Sequence, residues 1–208
     1  MIFTDYFKQR LSAFLLLASC IAGCAADSTT LNSERIARMF GNYSIEVLEN
    51  KNNIRVSNLH SQGIAGPVCR TFAVVRLPEQ VESAFEAEHT LITRGASIGS
   101  VFKNHGWDIS KHHRYIGDIE LDSTSQRVAR LMQIETPASA AIHVYVFAIT
   151  RSGRTFDYAT IAEVHHPEYL TSAELRSIYG NEFSGEDKLD EMRQVIELIM
   201  DKFRDPAP

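Results

Sequence analysis

Residues 141–150 and 156–165 flank the short polar stretch Arg151-Ser152-Gly153-Arg154, and the first of these runs is apolar at both parities. Ile142, Val144 and Val146 fall on one side, Tyr145, Phe147 and Ile149 on the other. Two extended runs separated by a Ser-Gly turn form a hairpin. A strand with no polar side has to be covered on both faces, so this hairpin belongs inside a sheet with helices packed above and below it.

The remaining elements fit that frame. Residues 33–40 read as a short helix with Ile36, Met39 and Phe40 on one side and Gly41 as its stop. Residues 43–49 and 54–59 read as strands joined through Asn50-Lys51-Asn52-Asn53, and residues 68–77 form a valine-rich strand closed by Pro78. Residues 79–93 carry Val81, Ala84, Phe85, Leu91 and Ile92 at helical spacing, and 97–105 continue as a second helical piece up to Gly106. Residues 107–121 return to extended structure, 123–132 and 171–179 are short helices, and 187–203 form an amphipathic one with Val195, Ile196, Ile199 and Phe203 inward. This order implies an α+β domain, a largely antiparallel sheet with helices packed on it. At 208 residues, 44% of them hydrophobic, one well-buried core is expected.

The net charge of −5 is mild and no basic run stands out, so nucleic acid is not an expected partner. The first residues follow signal-peptide grammar: Lys8 and Arg10 precede an apolar run over 11–22 that is too short to span a bilayer comfortably. Ile21-Ala22-Gly23-Cys24 resembles the lipobox of bacterial lipoproteins, in which the cysteine is acylated; Leu17-Ala18-Ser19-Cys20 also fits, and Cys24 is preferred because glycine precedes it and a polar stretch follows. The expected organisation is a signal peptide over 1–23, a tether over 24–32 and a domain over 33–208. Ala25, where an aspartate would favour inner-membrane retention, points to the outer membrane, facing the periplasm. Cys69 would be the one other cysteine after cleavage, a small buried hydrophobe beside Arg70.

Arg55 and Arg70 lie in otherwise apolar strand-like runs. A buried guanidinium is costly unless an acceptor meets its fork of donors, so two of them suggest an anionic ligand; for a single arginine the commoner arrangement is a packed stem and a wet head. Gly95-Ala96-Ser97-Ile98-Gly99 matches the G-x-S-x-G of a nucleophile elbow, but a helix, not a strand, leads into it, so no nucleophile is assigned. The glycines around Ser97 offer backbone N–H groups at the start of the next helix. Glu163 shares a strand face with His165, yet sequence spacing supplies no third ligand and no CxxC or HExxH occurs; no metal is expected.

In order along the chain, Ser33-Glu34-Arg35-Ile36, Ile45-Glu46-Val47-Leu48, Arg55-Val56, Cys69-Arg70-Thr71, Ile98-Gly99 with Val101-Phe102, Arg114-Tyr115-Ile116-Gly117 and Glu163-Val164-His165-His166-Pro167 resemble the motifs of chorismate lyase. That cofactor-free enzyme eliminates pyruvate from chorismate to leave 4-hydroxybenzoate. The resemblance implies a chorismate lyase-like fold in which Arg55 and Arg70 hold the two carboxylates, Glu163 faces the leaving oxygen and the 4-hydroxyl, and main-chain groups of Ile98 and Gly99 line the pocket. Ser97 replaces the family's proline, and Val56 its glutamate. The half from 97 to 170 also resembles the ligand-binding domain of bacterial transcription regulators that share this fold. Chorismate is made in the cytosol, whereas the lipobox points to the envelope, so the alternative is a lipid-anchored protein that binds a small aromatic or dicarboxylic acid.

Overall fold

The computed structural model describes residues 30–180 and 189–204. The expected signal peptide, Cys20, Cys24 and residues 24–29 of the tether lie outside the described residues.

Six strands form one antiparallel sheet in the order β1-β2-β3-β6-β5-β4. The strands are β1 (Ser44–Lys51), β2 (Ile54–Gly63), β3 (Gly66–Arg76), β4 (Asp108–Leu121), β5 (Ala138–Arg151) and β6 (Arg154–His165). The sheet is two meanders, β1-β2-β3 and β4-β5-β6, joined where β3 pairs with β6. The α+β expectation therefore holds. Asn52 and Asn53 take positive φ between β1 and β2, and Ser152 and Gly153 do so between β5 and β6. Two consecutive left-handed residues turn the chain with the twist of the flanking strands, which is why asparagine and glycine stand there.

Helices cover both faces. One face carries α1 (Asn32–Phe40), α2 (Glu86–Thr93), α3 (Ile98–Asn104) and α5 (Ser172–Tyr179). The other carries α4 (Gln126–Met132) and α6 (Leu189–Asp201), whose Val195 and Ile199, with Phe203 just beyond, pack on Phe72, Val74, Ile142 and Val144. The two parities of β5 divide as its sequence requires: Ile142 and Val144 belong to this second core, Tyr145 and Phe147 to the first. Cys69 is a free, fully buried thiol packed in the second core.

The expected helix over 79–93 is shorter. Residues 79–82 are not helical, a 3-10 turn spans Ser83–Phe85, and α2 begins at Glu86. Phe85 takes φ −133°, outside the helical region, as its ring enters the core among Trp107, Phe156 and Tyr158. Burying that ring outweighs helix continuation. Val81, Leu91 and Met39, all expected inward, are exposed. Ile36 carries the burial of α1, and Phe85 and Ile92 that of the segment around α2.

Candidate functional site

A cavity of about 70 Å³ opens between the first face of the sheet and helices α1 and α3. Alternation builds its floor: Arg55, Ser57 and Leu59 from β2, Ala73 and Val75 from β3, Ile161 and Glu163 from β6, Tyr145 and Phe147 from β5. Leu31 and Asn32 come from the start of α1, Ser97, Ile98 and Gly99 from the start of α3, and Lys111 from β4. Gly99 is a close-approach position, because a Cβ there would lie 2.7 Å from Leu31 Cδ2. Ser97 is the N-cap of α3 and follows a helix, so the G-x-S-x-G match has no strand leading into it.

Arg55 is 1% exposed, and neutral oxygens meet its donors. Nε donates to Ser57 Oγ (3.0 Å), Nη1 to the carbonyls of Ile92 (3.0 Å) and Ala96 (2.7 Å), and Nη2 to that of Gly95 (3.3 Å). The guanidinium thus caps the open carbonyls at the end of α2, where a cation is favoured. Burial pushes its pKa down, and no carboxylate is among the groups opposing that shift. Arg55 is both a fold element and a source of uncompensated positive charge at the cavity wall.

Arg70 does not join it, contrary to the paired-arginine expectation. In the β2–β3 ladder Leu59 pairs with Thr71 and His60 with Cys69, which leaves Arg70 as the extra residue of a bulge. Its Cζ lies 3.9 Å from the centroid of the Phe40 ring, its Nε donates to Ser61 Oγ at 2.9 Å, and it lines a different hollow with His166 and Glu168. The other named residues, Arg55, Glu163, Ile98 and Gly99, do line one cavity.

Glu163 is 4% exposed, and its Oε1 accepts from Asn32 Nδ2 at 3.1 Å. The same Asn32 nitrogen donates to Thr71 Oγ1 (3.1 Å), and Asn32 Oδ1 accepts from Tyr169 at 2.6 Å, so every donor and acceptor of that amide is engaged. Tyr145 is hydrogen bonded to Glu163; burial first, then the Glu163 charge, push its phenol well above the usual range. His165 and His143 lie beside Glu163, and burial keeps both imidazoles neutral, with His165 pushed down to about 3.

Sequence reasoning missed Lys111, Asn32 and Tyr145. Lys111 sits 4.9 Å from the Tyr145 ring centroid and 5.4 Å from that of Tyr179, and donates to the Tyr179 hydroxyl at 3.3 Å. A lysine in a half-buried strand was visible in the sequence, but which cavity it serves depends on β4 pairing with β5, where Lys111 meets Phe147. Asn32 falls within the tether expected over 24–32, whereas it is the first residue of α1.

No family model matches this chain, and no curated protein matches it. Among solved structures, the chain is similar to the C-terminal domain of Yurk from Bacillus subtilis subsp. subtilis str. 168, at 14% identity and a TM-score of 0.34, over 67% of this chain and 85% of that one.

Proposed function

We propose that this protein is a lipid-anchored envelope domain that binds a small aromatic monocarboxylic acid. The observation that supports the reading is the charge balance of the cavity wall: Arg55 and Lys111 carry two positive charges against the single carboxylate of Glu163, a surplus of one. A buried surplus cation favours a singly charged anionic guest. Val75, Ile98, Phe147 and Ile161 supply apolar walls for a ring. The cavity, about 70 Å³, is smaller than the roughly 150 Å³ that encloses benzene in an apolar protein core, so an aromatic acid would seat its carboxylate inside with the ring extending through the mouth, and a bulky dicarboxylate would fit less well. Attachment through Cys24 places the domain at the periplasmic side of the outer membrane.

The test is titration of the purified protein with benzoate, 4-hydroxybenzoate and cyclohexane carboxylate, followed by thermal midpoint. Saturating aromatic acid should raise the midpoint by several degrees, and Lys111→Met should weaken binding about tenfold. No shift with any of these acids rejects the reading. Palmitate labelling that is lost in Cys24→Ser and retained in Cys20→Ser tests the anchor.

A second reading, chorismate lyase-type elimination of pyruvate, draws on Arg55, Ile98, Gly99 and Glu163 lining the same cavity. Lys111 would then hold the second carboxylate in place of Arg70, and Glu163 would partner the leaving oxygen. Pyruvate release from chorismate no faster than in Glu163→Gln would dismiss it.

A further inference from the structure

β5 and β6 set His143 directly opposite Glu163, and His165 follows two residues along the same face. One ligand atom from each of the three lies within 4.8 Å of the others, and the residues are 1%, 4% and 1% exposed. The third donor that sequence spacing could not supply comes from the neighbouring strand.

The feature that calls for a ligand is His165. Its Nδ1 lies 3.0 Å from Thr71 Oγ1, while Nε2 is buried without a hydrogen-bond partner and faces Glu163 Oε2 at 3.8 Å. The Thr71–Nδ1 bond runs in either direction with the tautomer: with the ring proton on Nδ1, Nε2 turns a lone pair toward the carboxylate oxygen, and with the proton on Nε2 its N–H finds no acceptor within reach. In both cases a buried polar atom is left unsatisfied, which costs free energy. A separation of 3.8 Å is too long for a direct hydrogen bond and close to the roughly 3.4 Å between ligand atoms of a tetrahedral ion with 2.0–2.1 Å bonds.

We propose that His143, Glu163 and His165 bind a divalent transition-metal ion of the zinc class. The surroundings support that class. Thr71 orients His165, His113 Nδ1 lies 2.8 Å from His143 Nε2, and Asn32 and Tyr145 are both hydrogen bonded to the Glu163 carboxylate, Asn32 at Oε1. Outer partners of this kind fix ring orientation at metal sites. The ammonium of Lys111 and the guanidinium of Arg35 act on the same two imidazoles. Nearby cations penalise an ion held by charge alone, such as calcium or magnesium, more than one that draws on nitrogen donation. Glu163 and Tyr145 line the cavity and the two histidines do not, so the ion would sit beneath the cavity floor with its remaining position facing the opening. The proposal shares Glu163 with the acid-binding reading, whose charge balance counts that carboxylate without an ion; titration of metal without acid, and of acid after chelation, tests the two separately.

The experiment uses the purified full chain, stripped with a chelator and titrated with Zn²⁺ and Co²⁺ in the absence of any organic acid. One equivalent should bind, Co²⁺ should give the intense visible bands of low-coordinate cobalt with nitrogen ligands, and Zn²⁺ should raise the thermal midpoint. Glu163→Gln, which keeps an acceptor for Asn32, should weaken uptake more than about tenfold, as should His143→Asn. Circular dichroism and the metal-free midpoint establish that the variants fold; should His143→Asn not fold, Glu163→Gln carries the comparison. Absence of stoichiometric uptake, which would leave an ordinary water between His165 and Glu163, overturns the proposal. So does uptake undiminished in Glu163→Gln.

Discussion

Asn32 Nδ2 and Glu163 Oε1 meet at 3.1 Å across 131 positions of sequence, and with the Thr71 and Tyr169 bonds to the same amide this contact holds the first turn of α1 over the cavity. Asn32 is therefore the latch between the first helix and the central strand β6. Asn32→Leu leaves Glu163, Thr71 and Tyr169 short of their partners, so a loss of about 2–4 kcal/mol is expected in urea unfolding. A variant as stable as the parent would show that α1 is held without Asn32, by contacts such as those of Ile36, Phe40 and Arg35.

Arg55 and Arg70 separate by function. Arg55→Leu strips the carbonyls of Gly95 and Ala96 of their side-chain donor and leaves that of Ile92 with the Gly95 N–H alone, so its cost should exceed about 3 kcal/mol. Arg55→Lys restores the charge but not the planar fork and should recover less than half of it. Chemical denaturation of both variants checks the order.

Arg70→Ala should leave affinity for any cavity ligand within about twofold of the parent, since the bulge turns the side chain to another hollow. Loss of the Phe40 stack and the Ser61 bond should cost about 1–2 kcal/mol. An affinity loss of tenfold in calorimetric titration would restore the paired-arginine arrangement.

Stability should fall as pH drops below neutrality, and the sign follows from the imidazoles. His165 is held down to about 3 and His113 to about 4, in both cases chiefly by burial. Below about 6.5 the unfolded chain takes up protons that the folded one refuses until those lower values, so protonation draws the equilibrium toward unfolding. His165 alone contributes a slope of up to about 1.4 kcal/mol per pH unit. Urea midpoints between pH 6.5 and 5 should show the slope, and His165→Asn should reduce it while leaving the part that His143 and His113 contribute.

The hairpin around Ser152-Gly153 and the double-faced apolar pattern of β5 were legible because turn chemistry and alternation are local. Burial of Arg55 was legible too, from its apolar flanks. Its partners were not, since helix-end carbonyls carry no mark in the sequence. Parity hinted that Arg70 turns away from Ala73 and Val75, but the bulge that strands it is a property of the pairing with β2. His143 was invisible as a companion of Glu163 for the same reason: only the β5–β6 register sets them opposite each other. The helix expected over 79–93 starts late, at Glu86, because the buried Phe85 ring outweighs the weak helical preference of the residues before it.

The two meanders close on each other through a ladder of six residue pairs, fewer than the seven between β1 and β2, the next shortest. Each meander gathers neighbours along the chain, whereas β3 and β6 must find each other across the whole segment that carries α2, α3, β4, α4 and β5. Loop closure of that size comes late and slowly. Pairing of Thr71–Arg76 with Thr160–His165 is therefore the step expected to complete last in folding, and it is the step that brings Glu163 against Ala73 of β3.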